Sequence, residues 1–121
     1  MKNIFLLLLL ISGASFAQSK DCSRLKNCRL ESLVEEDTSY MLIKNTEYSQ
    51  FYDDGNFIKA KIIWIANCQA EITISEVSIP DFPLAVGEKL ILKIDKIAGD
   101  IADFVVTMKG DVYNSKFKII N

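Results

Sequence analysis

This sequence predicts an all-β fold: a single small antiparallel meander of seven to eight strands, barrel-like or a sandwich, with a short N-terminal helical turn. Three observations predict it. Apolar residues recur at every second position in run after run from Tyr40 to the C-terminus, the period of a half-buried strand. Turn-forming residues interrupt these runs at short intervals. After residue 17, only Cys22 to Cys28 lacks a strand-like or turn-like pattern, and it suits a helical turn.

The first 17 residues read as an address. Lys2 gives a positive start, Ile4 to Ile11 is an unbroken apolar run, and Ser15 and Ala17 form the small-x-small pattern of a signal-peptidase site. Cleavage is expected between Ala17 and Gln18, leaving residues 18–121 as one antiparallel β domain. The stretch from Ile4 to Ala17 is shorter than the ~20 residues a helix needs to cross a bilayer, so no membrane-spanning anchor is expected. The reading is therefore export, to the periplasm or beyond the cell. The mature chain would hold 104 residues at a net charge of −3, since only Lys2 is lost among the charged groups. A chain of that size can bury one core, with a thin margin.

The strands follow in order. Tyr40 to Lys44 and Glu47 to Tyr52 are rich in aromatic and apolar residues. Ile58, Ala60, Ile62 and Trp64 then alternate with Phe57, Lys59, Lys61 and Ile63. Ala70, Ile72 and Ile74 alternate with Glu71, Thr73 and Ser75; Leu90, Leu92 and Ile94 with Ile91, Lys93 and Asp95. Phe104, Val106 and Met108 form the next apolar face, and Phe117 with Ile119 the last. Asp53-Asp54-Gly55-Asn56 is a strong hairpin signal. Ala66-Asn67, Ala98-Gly99-Asp100 and Lys109-Gly110-Asp111 supply further turns. Pro80-Asp81-Phe82-Pro83 twice lacks a ladder donor and must be a loop or an edge.

Composition narrows the chemistry. A net charge of −2 over 121 residues gives no basic footprint for nucleic acid. The chain has no His, so the commonest general base and a frequent metal ligand are missing. Three Cys without His make a poor structural zinc set, and no thiol has an evident activating base. No cofactor and no metal are expected, and the chain reads as a non-enzyme.

Cys22, Cys28 and Cys68 permit at most one internal bridge, with one free thiol. Chain entropy assigns about 4 kcal/mol to a Cys22–Cys68 bridge and about 2 kcal/mol to Cys22–Cys28, which ranks the benefit and leaves the pairing open.

Asp21-Cys22, Cys28-Arg29-Leu30, Leu42-Ile43-Lys44-Asn45 and Ile62-Ile63-Trp64-Ile65-Ala66-Asn67-Cys68, together with Ser15-Phe16-Ala17-Gln18, carry a resemblance. The chain resembles an uncharacterised family of small exported Bacteroidetes proteins with a Cys…Trp-x3-Cys pattern. The resemblance implies a Cys22–Cys68 disulfide. It leaves Cys28, which stands where that group has Gly, as the free thiol. The chain departs from the pattern at Leu30, where Phe is usual, and at Lys44, where Arg is usual. It departs again at Ser49-Gln50-Phe51, in place of Gln-x-Glu, and at Ala70, in place of Tyr.

Candidate sites are few. Glu35-Glu36-Asp37 and Asp53-Asp54 read as solvated turns without calcium-loop spacing. Arg24, Lys26 and Arg29 form a small basic surface. Trp64 reads as core packing over the disulfide. Tyr48, Phe51 and Tyr52 are a possible binding face, with Phe51 and Tyr52 on opposite faces of their strand. The functional expectation is a non-catalytic exported module that binds an unknown protein or envelope component as a monomer or weak dimer. An edge strand or Cys28 would be the means of pairing two copies. The alternative is a small lipocalin-like barrel carrying an apolar ligand. Its inward set (Ile62, Trp64, Ile72, Leu90, Leu92, Ile94) is bulky and speaks against a cavity.

Overall fold

The structure is a computed structural model that describes residues 21–34 and 38–120. The signal-peptide expectation and the Glu35-Glu36-Asp37 cluster lie outside the described residues. A short 3-10 turn, η1 (Cys22–Lys26), precedes eight strands: β1 (Asn27–Ser32), β2 (Ser39–Lys44), β3 (Glu47–Tyr52), β4 (Phe57–Ala66), β5 (Gln69–Val77), β6 (Lys89–Ala98), β7 (Ile101–Met108) and β8 (Asp111–Ile120). Each strand pairs antiparallel with the next, and β1 closes on β8 from Arg29↔Ile120 to Ser32↔Phe117. The fold is thus an up-and-down barrel, which settles the choice between barrel and sandwich. Closure also removes the edge strand that was expected to be available for pairing two copies: among the described strands every one has two neighbours.

Alternation fixes which residues enter the barrel. Along β4, Ile58, Ala60 and Ile62 are buried while Lys59, Lys61 and Ile63 are exposed. Along β7 and β8, Ala102, Phe104, Phe117 and Ile119 are buried, and the Phe104 and Phe117 rings stack at 5.1 Å. Each fully buried Ile or Phe contributes about 1.5–3 kcal/mol relative to exposure. A bulge between Ile94 and Lys96 shifts the parity of β6, so that Ile97 faces Ala102.

The tight turns follow their residues. Lys109 and Gly110 both have positive φ (50° and 85°), the requirement of a type I′ hairpin turn. At Asp53-Asp54-Gly55, the Gly55 N–H donates to Tyr52 O and the Tyr52 N–H to Asn56 O, with Gly55 at φ 91°. That is a three-residue turn with a glycine bulge.

The two ends of the barrel differ in their covering. At one end lie η1 and the β2–β3, β4–β5 and β6–β7 turns. Asp21 caps η1 by accepting from the Ser23 N–H at 3.1 Å. Cys22 and Leu25 of η1 are fully buried in the barrel end. The turn is fastened to all three hairpins. Cys22 is bridged to Cys68 across a Cα–Cα distance of 5.3 Å. Arg24 donates to Gly99 O at 2.9 Å and pairs with Asp100 at 2.9 Å. The Asn45 N–H donates to Lys26 O at 3.1 Å. Trp64 packs here half-buried, with the Lys26 ammonium 5.9 Å from its ring centre. At the other end, the segment 78–88 crosses the mouth, anchored by fully packed Leu84 and by Ser78, whose N–H donates to Phe57 O at 3.0 Å.

Candidate functional site

A cavity of about 220 Å³ occupies the barrel interior toward the mouth. Its wall is apolar: Met41 from β2, Ile58 from β4, Ile72 and Ile74 from β5, Leu90 and Leu92 from β6, Phe104, Val106 and Met108 from β7, and Phe117 from β8. Phe82, from the crossing segment, lines it from above, and Tyr52 and Tyr113 stand in the wall as well. Among the lining residues none carries a charge.

The bulk of the inward set speaks against a cavity, and here the structure corrects that reading. Ile72, Leu90 and Leu92 line the cavity, whereas Ile62, Trp64 and Ile94 do not line it. Ile62 and Ile94 are completely buried toward the η1 end. Two features open the other half. Eight strands make an interior just wide enough to hold side chains or one small ligand. Across from Phe104, β8 places Ser115, a small side chain where another large one would fill the space.

Five lining residues bring polar groups to this mostly apolar wall (Tyr48, Gln50, Tyr52, Tyr113 and Ser115), and of these Gln50 and Tyr48 are buried and bonded to each other. Gln50 on β3 is 7% exposed and lines the cavity. Its Oε1 accepts from the Tyr48 hydroxyl at 2.7 Å, and its Nε2 donates to the Ser39 hydroxyl at 3.1 Å. Tyr48 and Ser39 are themselves buried. Two bonds therefore hold the amide plane from opposite sides.

The aromatic trio splits. Tyr48 and Tyr52 point inward and line the cavity, with Gln50 between them on the same face. Phe51 points outward, its ring 5.3 Å from that of Tyr40, over which the Arg29 guanidinium lies at 4.0 Å. Phe51 thus belongs to an outer ladder of side chains across β1, β2 and β3. Gln50 was not singled out from the sequence, although a polar residue two positions from both Tyr48 and Tyr52 marks the same face of the strand.

The remaining candidates are structural. Asp54 accepts from the Asn56 backbone N–H at 2.9 Å and from its side-chain amide at 3.0 Å, which fixes the β3–β4 turn. Arg24, Lys26 and Arg29 are engaged by Asp100, Trp64 and Tyr40 respectively, so they form no common anion site. Cys28 is a free thiol, half-buried, with its Sγ 3.6 Å from Leu25 O. Burial pushes this thiol up to about 11, against the lowering influence of Arg24. It stays protonated and unreactive at neutral pH. Among the described residues no group of His, Cys, Asp and Glu is placed to hold a metal ion.

Set against family models, curated proteins and the solved structures, the chain matches none.

Proposed function

We propose that this barrel binds one small apolar molecule in its interior, as a lipocalin-like carrier exported from the cell. The observation that carries the reading is the cavity of about 220 Å³ with an apolar wall at the end not plugged by η1. Natural cores hold few voids larger than a water molecule, so a cavity of this size sets the mouth half of the barrel apart from its packed half. It is smaller than the roughly 300–1,000 Å³ of drug-sized sites, so the ligand is small. The Cys22–Cys68 disulfide supports an oxidising compartment, in keeping with the expected signal peptide and with the resemblance to exported Bacteroidetes proteins. Outward Lys59, Lys61, Lys93 and Lys118 support a water-facing barrel wall, since a lipid-facing band is apolar. With no activated nucleophile or base in the cavity, the reading is one of binding without turnover.

A second reading, an interaction module for an envelope partner, draws on outward Ile63 and Ile65 of β4, which are 56% and 53% exposed.

Native mass spectrometry of protein taken from its own host's envelope tests the carrier reading. The expected result is a discrete extra mass that denaturation releases and that Ser115→Phe, which fills the cavity, abolishes while the variant stays folded. A bare protein that also takes up no small apolar molecule would sink the carrier reading and favour partner capture through β4.

A further inference from the structure

We infer that the cavity selects an uncharged ligand of roughly nine non-hydrogen atoms carrying one hydrogen-bond acceptor, a hydroxyl or carbonyl oxygen, which docks on the Gln50 amide. The inference rests on the carrier reading above and names its ligand class.

Size comes from the volume. An apolar cavity of about 150 Å³ holds benzene, so 220 Å³ has room for about half as many atoms again. Polarity comes from Gln50. A primary amide offers two N–H donors and a carbonyl with two lone pairs. Tyr48 takes one lone pair and Ser39 one N–H, which leaves one donor and one lone pair on a side chain that lines the cavity. A buried amide N–H left without a bond is unfavourable, so the remaining N–H of Gln50 is the donor we assign to a ligand oxygen. Because Tyr48 and Ser39 hold the amide from both sides, it needs little reorganisation on binding.

Charge is the discriminating property. A carboxylate would also accept from Gln50, but no Lys or Arg lines the cavity to offset the loss of its hydration. An alcohol or ketone carries no such penalty. The class is therefore a short-chain or monocyclic neutral oxygen compound, and an ionised fatty acid is rejected.

Calorimetric titrations with 1-octanol, sodium octanoate and toluene test this on the full mature chain and on Gln50→Leu. At pH 8, 1-octanol and toluene are expected to bind, and octanoate to bind at least about a hundredfold more weakly than 1-octanol. Octanoate affinity should rise as the pH falls toward the carboxyl pKa, because the protonated acid is neutral. Gln50→Leu should weaken 1-octanol about tenfold more than it weakens toluene. Octanoate binding as tightly as 1-octanol at pH 8 overturns the charge selection while leaving the carrier reading intact. A 1-octanol loss in Gln50→Leu no larger than the toluene loss overturns the role of Gln50. If none of the three probes binds the unmutated chain, the carrier reading itself fails, and this inference with it. The probe series on the unmutated chain decides the charge selection even where Gln50→Leu does not fold.

Discussion

At the η1 end of the barrel Cys22, Leu25, Ile43, Ile62 and Ile94 are completely buried, whereas at the mouth Tyr52, Phe82, Leu90 and Met108 remain half-buried and Tyr113 is 45% exposed. Both ends are built by the same strands with the same alternation of side chains. What differs is the cover. Only one residue of the crossing segment 78–88, Leu84, is fully packed, whereas η1 inserts Cys22 and Leu25 and is tied to three hairpins. Alternation decides which side chains enter a barrel. The cap decides whether they become a close-packed core or the wall of a site.

The comparison can be broken first at the disulfide. Cys68→Ser is expected to lose about 4 kcal/mol of stability, the loop-closure value for a bridge spanning 46 residues. Urea denaturation of the oxidised proteins measures it. A smaller loss is expected from Ile62→Ala, about 3 kcal/mol for a cavity opened in the packed half. Leu90→Ala, at a half-buried position in the cavity wall, should lose only about 1 kcal/mol. Equal losses at the two positions would erase the distinction between core and wall.

Two further effects are smaller. Glu88 accepts from the Ala85 N–H at 2.7 Å and lies 3.4 Å from the Lys109 ammonium, which joins the crossing segment to the β7–β8 turn. The Ala85 N–H is the main cause that holds its carboxyl below the ordinary carboxylate value; desolvation opposes it, and the hydrogen bond and charge of Lys109 add to the lowering. A depressed folded-state pKa contributes stability above the unfolded value, and that contribution is lost as the pH falls through the folded value. Acidification should therefore loosen the mouth, seen as faster ligand release. Glu88→Gln should remove this acid dependence and leave the η1 end unaffected. The smallest effect is expected at Cys28→Ser, within about 0.5 kcal/mol at neutral pH. The raised thiol pKa favours the folded state below the ordinary thiol value of 9.0, and that contribution falls away as the pH rises from there to about 11. The serine variant should lack this alkaline slope.

Most strands were legible because each needs only its own alternation. The exceptions show what local pattern omits. On the inward face of β1 only Cys28 and Leu30 are apolar, with Ser32 the third residue, so the apolar pattern was too short to detect. β1 is a strand because β2 and β8 flank it. The first half of β8, Asp111 to Ser115, is polar or exposed and is drawn into the sheet by the Lys109-Gly110 turn and its pairing with β7. Closure was invisible for the same reason, since the β1–β8 seam joins residues nearly a whole domain apart. The disulfide was legible through the resemblance, and the free Cys28 through the same departure from it. The cavity was not, because bulk was read without regard to height in the barrel. Gln50 was read as a departure from a pattern rather than as a polar group on an inward face.

The seam carries one more consequence. Pairing between β1 and β8 runs only from Arg29↔Ile120 to Ser32↔Phe117, whereas β7 and β8 pair from Ile101↔Lys118 to Met108↔Asp111. Local opening begins where the fewest bonds must be surrendered. The seam, extended by the Leu33 N–H donating to Lys116 O at 2.9 Å, is where amide exchange is expected to be fastest, and hydrogen exchange read amide by amide checks it. A protein opened there exposes two fresh strand edges that can zip onto another molecule. Since Cys22 moors the chain just before β1, reduction of the Cys22–Cys68 bond is expected to raise amide exchange along that seam.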